Sequence, residues 1–314
     1  MRHSQHGFSL IELVVAISIF LVVSAAVLDG LMNVSKVSAT VANRTQMHAG
    51  VRNATELLQQ EVGQAGRVAL PNRVRLAAAA AQGNATVALE AIDAAGNVLN
   101  SASAVKSMFV GEKLVVGTGS VEETVTLTGV NALTNQITAA FAWSHAIHEP
   151  IQVYGGFASG VVPTNATNGS TGSVLKMFGD VNSDGNIEYV EYTCDTAGGN
   201  LYRRAVAFDA AIKPALSPEQ SLLNNVVANP DGTPCFTYQQ QAVSGTTFVV
   251  DVAITLTVRT PDPDPQTGIY QYETKALLNV SPRNVFNVWQ MAGLGISSRV
   301  QPMPQTVATL TGLP

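Results

Sequence analysis

The first part of the sequence follows a helical pattern whose character changes along its length. Residues Phe8–Leu28 form an apolar run of 21 residues in which Glu12 is the only charged side chain. As a helix, this run is about 31 Å long, which is enough to cross a hydrocarbon core of roughly 30 Å. Apolar residues then recur mostly every three or four positions, which predicts an amphipathic continuation of the helix over residues 29–67. The apolar stripe consists of Val34, Val37, Val41, Met47, Val51, Ala54, Leu58, Val62 and Ala65.

Residues that disfavour helix indicate where this long helix weakens and where it ends. Gly63, Gly66 and Pro71 predict an end near Gly66. Asp29-Gly30 joins a poor helix former to a worse one, so a bend and an uninterrupted helix both remain open there. The second half of the helix is expected to support a sheet, while the first half stays bare for neighbouring molecules.

Beyond about Leu76 the helical period gives way to short apolar segments between polar loops, which is typical of strands. The sequence therefore predicts an α+β fold, in which a long N-terminal helix packs on an antiparallel, strand-rich head over residues 68–291. A β subdomain is predicted at residues 106–156, and residues 292–314 are expected to form a loosely ordered tail. The candidate strands are Ala85–Ile92, Val105–Phe109, Lys113–Val116, Thr124–Thr128, Gln136–Phe141, Ile151–Tyr154, Val174–Phe178, Ile187–Thr193, Leu201–Phe208, Thr246–Val258 and Gly268–Leu278.

Composition and charge narrow the class of protein. Only 12% of the 314 residues are charged, about half of the usual share in a soluble domain, and 46% are apolar. The net charge of −5 is the opposite of the basic field that nucleic acids require, so no sequence-specific nucleic acid binding is expected. No Ser-His-Asp order, phosphate-binding glycine loop or paired-carboxylate cleft stands out in the sequence, and we assign no catalysis.

Glu12 is an unusual residue for a segment that is long enough to cross a membrane. An isolated carboxylate in lipid costs roughly 2.5–3.5 kcal/mol on insertion scales, so we expect Glu12 to be functional and to have a cationic partner. A secretory signal peptide that is cut after Ser24-Ala25-Ala26 is the alternative. That alternative explains neither the length of the apolar run nor the glutamate. Arg2 indicates that the N-terminus stays in the cytoplasm and that the rest of the chain lies outside.

The segment Gly7-Phe8-Ser9-Leu10-Ile11-Glu12-Leu13 resembles the cleavage and methylation motif of type IV prepilins and type II secretion pseudopilins. The resemblance implies that prepilin peptidase cuts between Gly7 and Phe8 and then N-methylates Phe8. It also implies a type IV pilin-like fold, one pass through the bacterial inner membrane with the head in the periplasm, and assembly with other pilins or pseudopilins on an inner-membrane platform. Glu12 is then the glutamate of the motif, and its partner is the new α-ammonium group of an adjacent subunit.

The end of the predicted helix carries a second resemblance. Residues 56–67, ELLQQEVGQAGR, are similar to the end of the spine helix in PilW-type minor pilins and the related J-type minor pseudopilins. This similarity implies a minor type IV pilin that primes pilus assembly and sits at or near the fibre tip. Two alternatives remain: a minor pseudopilin of a type II secretion system, and a tip adhesin that binds a surface or DNA. A hydrolase anchored by the helix is a more distant hypothesis.

Cys194 and Cys235 are the two cysteines of the sequence, and both fall in the part that is expected to lie outside the cytoplasm. A disulfide between them would close a segment of 42 residues. Such a closure stabilises a fold by about 3–4 kcal/mol through loop entropy. Two free buried thiols are the alternative.

Residues 180–191, DVNSDGNIEYVE, fit the calcium-loop pattern D-x-[DN]-x-[DN]-G followed by five residues and Glu. The pattern supplies alternating side-chain oxygens and a glycine for the sharp turn. The flanks indicate strands and not the helices of an EF-hand, so Glu188, Glu191 or neither completes the site. An Asx-rich hairpin turn without a cation is the alternative. The candidate ligands are Asp180, Asn182, Asp184, Asn186, Glu188 and Glu191.

Two further features of the sequence are weaker candidates for cation sites. His145 and His148 are three residues apart, and on a strand they face opposite sides, which does not favour zinc. Asp262-Pro263-Asp264-Pro265 is a stiff acidic turn and a second candidate cation site.

Overall fold

The computed structural model describes residues 9–100 and 103–313 and has the α+β architecture that the sequence predicts. The chain divides into two compact units. The first contains residues up to Ala49 together with Arg259–Glu273, and the second contains Gly50–Val258 and Thr274–Pro314. The helices of the described residues are α1 (Leu10–Gln64), α2 (Arg283–Gly293) and α3 (Gln305–Gly312).

The described strands, in chain order, are β1 (Arg73–Leu76), β2 (Gly83–Ile92), β3 (Lys113–Val116), β4 (Glu123–Asn131), β5 (Gln136–Phe141), β6 (Pro150–Val153), β7 (Gly156–Phe157), β8 (Val174–Gly179), β9 (Glu188–Asp195), β10 (Asn200–Ala207), β11 (Ser221–Asn224), β12 (Val226–Val227), β13 (Phe236–Val243), β14 (Thr246–Arg259), β15 (Tyr272–Val280) and β16 (Val300–Gln301). Most of the predicted strands are present with ends shifted by a few residues, as expected for boundaries read from a pattern.

In the first unit, helix α1 runs through Asp29 and Gly30 without a break, which is the uninterrupted alternative for this site. This part of α1 is long and apolar enough to cross a membrane, and its most apolar window of 18 residues is 0% buried. The segment Arg259–Glu273 belongs to the same unit. Its Glu273 lies 3.7 Å from His48 of α1, and its Gln271 accepts a hydrogen bond from Arg44.

The acidic turn around Asp264 is held by hydrogen bonds from the protein itself. The carboxylate of Asp264 accepts the backbone N–H groups of Gln266 and Thr267, and the side-chain amide of Gln271. These bonds, led by the one from Gln266, lower the pKa of Asp264 below its usual value. The turn is thus stable as an Asx-type turn without a cation.

In the second unit, residues 50–64 of α1 bury the apolar stripe. Val51, Ala54, Leu58 and Val62 are at most 2% exposed, as the sequence pattern predicts. The helix ends at Gln64, and Gly66 follows with a φ of +78°. A Cβ atom at Gly66 would lie 2.7 Å from Val285 of α2, so a glycine is required both by the backbone and by the close packing.

The first six strands of the head close into a barrel in the order β1-β2-β5-β4-β3-β6. The barrel is larger than the subdomain predicted at residues 106–156, because two of its six strands, β1 and β2, come before residue 106. The predicted strand Val105–Phe109 is wrong. This segment is a turn, with the N–H of Met108 donating to Val105, and its apolar side chains Val105 and Met108 fill the barrel core.

Two further antiparallel sheets complete the strand-rich part of the second unit. One has the order β11-β10-β9-β8, and in the other the long strand β14 pairs with β12, β13 and β15. Cys194 on β9 and Cys235, just before β13, form a disulfide that joins the two sheets. The cysteines are thus paired, as the sequence analysis expected of residues outside the cytoplasm.

The segment 292–314 is not the loosely ordered tail that its polar and proline-rich sequence predicted. It contains β16, which pairs with β7, and α3, whose Val307 and Leu310 are fully buried. These two residues join a core cluster with Phe157, Phe178 and Tyr189. Two apolar residues one helical turn apart are enough to anchor the segment, although they are too few to give a clear periodic signal.

Candidate functional site

The N-terminal end of α1 carries the residues of the predicted processing and assembly site. Gly7 and Phe8, between which the cut is predicted, lie outside the described residues. Glu12 is exposed, and its Oε2 accepts the N–H of Ser9 at 2.9 Å. The Ser9 hydroxyl in turn accepts the N–H of Ile11 at 3.2 Å. In the single chain, Glu12 therefore caps the start of its own helix.

Beyond Glu12, α1 exposes a continuous apolar surface. Leu10, Phe20 and Val22 are 82%, 68% and 70% exposed, and Val34 and Val41 are also exposed. Such a surface is far larger than a soluble monomer normally leaves uncovered. It is suited to contact with lipid or with the helices of other subunits.

The calcium-like loop connects β8 to β9 as a turn stabilised by its own side chains. Asp184 is its centre, because its carboxylate accepts the N–H of Asn186 at 2.8 Å and the side-chain amide of Asn182 at 3.0 Å. These bonds, with that from the Asn186 backbone as the largest cause, lower the pKa of Asp184. Ser183 and Gly185 adopt positive φ angles of 64° and 85° at the turn. The carboxylate of Asp184 is therefore ionised, and the loop already uses part of its capacity to accept hydrogen bonds.

Asp180 differs from the rest of the loop because it is buried and poorly satisfied. Its side chain is 1% exposed, and neither carboxylate oxygen has a hydrogen bond partner. The nearest cation is Arg67, whose Nε lies 3.5 Å from Oδ2, beyond normal hydrogen bond distance. The side-chain oxygen of Asn186 is likewise buried without a hydrogen bond partner. Three buried oxygen atoms in this loop are thus open to a further positive ligand.

The two glutamates at the end of the loop pattern, Glu188 and Glu191, both lie on β9 but have different surroundings. Burial, together with the negative charge of Asp184, raises the pKa of Glu188. Glu191 is not available as a cation ligand, because its carboxylate already accepts hydrogen bonds from Arg204, Lys213 and Tyr189. These bonds outweigh burial and keep the pKa of Glu191 below its usual value.

The loop therefore matches a cation site only in part. Within residues 9–100 and 103–313, no three His, Cys, Asp or Glu side chains come together as a metal-binding group. With Glu191 taken up by its own partners, the remaining oxygen donors are Glu188 and the two aspartates and two asparagines of the loop, Asp180, Asp184, Asn182 and Asn186. Carboxylate and amide oxygens are the donors that Ca²⁺ takes, so the chemistry of the set fits calcium better than zinc.

The two histidines of the barrel do not share a ligand. His145 is buried and its Nε2 lies 2.8 Å from Glu123, while His148 is half exposed with its Nε2 3.5 Å from Glu90. Each has its own carboxylate, which argues against a common zinc ion.

An ionic cluster that was not predicted from the sequence ties α1 to the sheet that contains β9 and β10. Glu61 is 6% exposed, and its carboxylate accepts the hydroxyl of Tyr192 at 2.6 Å. Arg203 donates to the same carboxylate through Nε at 3.0 Å and through Nη2. Glu61 comes three residues after Leu58 and one before Val62 of the apolar stripe. This spacing places it near the buried face of the helix, so its burial could have been predicted from the sequence.

Comparison with known proteins gives one significant match. The family described as the prokaryotic N-terminal methylation motif matches residues 2–28. Neither a curated protein nor a solved structure matches the chain. Together with the exposed apolar helix, this motif supports a type IV pilin or pseudopilin, and it implies processing by prepilin peptidase and assembly with other pilins. The resemblance noted for Gly7 to Leu13 is thereby confirmed at the level of the motif.

Proposed function

We propose that this protein is a minor type IV pilin, inserted in the bacterial inner membrane with its head in the periplasm. Prepilin peptidase cuts between Gly7 and Phe8, and Phe8 becomes the N-methylated first residue. The observation that carries the proposal is the methylation motif at residues 2–28 at the head of a long, exposed apolar helix. The helix then leaves the membrane to pack in a fibre.

Glu12 has two partners in this scheme, one before assembly and one after it. Before assembly its Oε2 accepts the N–H of Ser9, which reduces the cost of a carboxylate in lipid. In the fibre, it pairs with the α-ammonium group of Phe8 of an adjacent subunit. A charge-assisted bond to an ammonium group is stronger than the bond to a neutral N–H, so the exchange favours assembly.

The size of the head favours a minor subunit that primes assembly and sits at or near the tip. The closed barrel β1–β6 and the two sheets after it add bulk that a subunit repeated along a fibre would have to accommodate at every position. A minor pseudopilin of a type II secretion system would have the same processing and anchoring. A tip adhesin would use the head itself, and binding of the purified protein to surfaces or DNA separates that function from assembly.

Replacement of Gly7 by Trp is expected to leave the precursor uncut, because it puts a bulky side chain in place of the glycine of the methylation motif, next to the proposed cut. The measurement is mass spectrometry of the N-terminus of the protein purified from its own membranes. The wild type is expected to begin at N-methylated Phe8. Gly30→Ala is the matched control, since a Cβ at Gly30 meets nothing within 4 Å, and it should be processed normally. A Gly7→Trp protein of mature size would refute the assigned cut.

We further propose that the loop between β8 and β9 binds calcium through Asp180, Asp184 and the side-chain oxygen of Asn186. Support comes from the two carboxylate oxygens of Asp180 and the oxygen of Asn186, which are buried without hydrogen bond donors. Asn182 and Glu188 are the remaining candidates beside them. The bound ion would coordinate buried oxygens that lack hydrogen bond donors, and its binding would stabilise the folded head.

Calcium is expected to raise the melting temperature of the full chain in detergent. At a concentration 100 times the Kd, the gain is about 2.7 kcal/mol, which corresponds to roughly 5–10 °C for a head of this size. Asp184→Ala should remove the effect, and Asp209→Asn, an exposed aspartate outside the loop, should retain it. Equal melting in calcium and in chelator would favour the hairpin turn that needs no cation.

A further inference from the structure

Arg67 lies where it can compete with a cation for the loop between β8 and β9. It is the first residue after Gly66, just beyond the end of α1, and its guanidinium reaches two residues of the loop. Nε lies 3.5 Å from the Asp180 carboxylate, and Nη1 donates to the hydroxyl of Ser183. The guanidinium thus lies between the Asp180 carboxylate and Ser183, within the loop that is proposed to bind the cation.

The two partners differ in their freedom to move. The Asp180 side chain is 1% exposed, while that of Arg67 is 40% exposed. The backbone of both residues is fixed, because the N–H of Asp180 donates to the carbonyl of Arg67 at 2.9 Å. Gly179 and Gly185 hold the loop against the linker between α1 and β1, residues 65–72, since a Cβ at either glycine would lie within 3 Å of linker backbone. Only the guanidinium is therefore able to leave, and it can do so into solvent.

We propose that Arg67 is a built-in competitor of the cation: its guanidinium neutralises Asp180 when the loop is empty and swings out when a divalent cation binds. This inference rests on the proposed calcium site and adds its regulation. A guanidinium cannot remain close to a doubly charged ion that shares its carboxylate, because the two positive charges repel each other. The affinity of the loop for calcium is thus set partly by a residue that is not a ligand. Cation binding would also release the side-chain tie between the linker and Ser183.

The test is calcium titration of the full chain in detergent by isothermal titration calorimetry, after removal of bound metal. Arg67→Gln removes the competing charge and should bind calcium roughly 3- to 10-fold more tightly than the wild type. Arg67→Lys keeps a positive charge at the same place and should bind within about twofold of the wild type. Arg73→Gln removes an exposed arginine of β1 and controls for net charge.

The outcomes separate this inference from the site on which it rests. Tighter binding by Arg67→Gln alone supports the competition. If the wild type binds calcium through Asp184 while Arg67→Gln binds equally or more weakly, Arg67 is not a competitor and the site stands. If neither the wild type nor Arg67→Gln binds calcium, the cation site itself is wrong, and the competition with it.

Discussion

Glu61→Ala is expected to lower the free energy of unfolding by about 3–5 kcal/mol, because it removes one partner of a buried ion pair and leaves the other uncompensated. The Glu61 side chain is 8% exposed, so the place of the lost carboxylate is poorly accessible to water, and the 27% exposure of Arg203 leaves most of its side chain covered. The fully buried hydroxyl of Tyr192 also loses its acceptor. Its pKa is raised by burial and by the charge of Glu61, so the hydroxyl remains a donor at any ordinary pH.

The chain provides a matched control for this prediction. Glu56 lies on the same helix and pairs with Arg52, but the two side chains are 53% and 75% exposed. Glu56→Ala is therefore expected to cost less than about 1 kcal/mol. Both variants are measured by urea unfolding in detergent, followed by the fluorescence of Trp143 and Trp289. A loss as small for Glu61→Ala as for Glu56→Ala would mean that water satisfies Arg203 and Tyr192.

The sequence predicted the long helix well because a single periodic rule describes it. The apolar stripe from Val51 to Ala65 is buried, and the apolar residues before Val41 are exposed, as expected for a spine whose first half is bare. The strands were also predicted in large part, since β-branched and aromatic residues cluster between turn-forming residues. Their arrangement was not predicted. Closure of β1–β6 into a barrel depends on pairing between β1 and β6, which are more than 70 residues apart.

The short elements were missed for a physical reason. Strands β1 and β11 have four residues each, of which only two are apolar, whereas β3, which has the same length and was predicted, has three consecutive apolar residues. Helix α3 is held by tertiary contacts of Val307 and Leu310, which local preference does not encode. Val105–Phe109 was assigned to a strand because it is apolar, although burial in a core does not require a strand.

The candidate sites were predicted to different extents. The motif at the N-terminus was evident because its chemistry depends on residues that are neighbours in the sequence. The strands on either side of the calcium-like loop were predicted from the sequence, but the partners of Glu191 were not, because Arg204 and Lys213 lie on β10 and in the loop after it. Arg67 was likewise invisible as a partner of Asp180, since more than 100 residues separate them.

Glu112 is a buried carboxyl group whose environment favours its neutral form. It lies in the turn before β3, its side chain is inaccessible, and Oε1 has no hydrogen bond partner. Its Oε2 only weakly accepts the N–H of Phe109, at 3.4 Å. Burial therefore raises the pKa of Glu112 to about 8, with that N–H as the one opposing influence. The protonated acid is the form that the folded protein tolerates at neutral pH.

The stability of the protein is accordingly expected to fall as the pH rises from about 4.5 to about 8. In this window the folded state holds a proton on Glu112 that the unfolded chain has released, so the unfolded state binds fewer protons and gains as the pH rises. The loss is on the order of 5 kcal/mol across the window and levels off above it. Glu112→Gln keeps the shape of the side chain without the charge.

This variant should match the wild type near pH 5 and exceed it by several kcal/mol near pH 8.5, as measured by urea unfolding at each pH. Glu188 and Asp251, whose pKa values are also raised by burial, add to the slope of both proteins, so the difference between the two proteins isolates Glu112. Glu122→Gln, at an exposed position, is the control and should keep the full decline. A constant difference between wild type and Glu112→Gln at all pH values would show that the turn accommodates the ionised carboxylate.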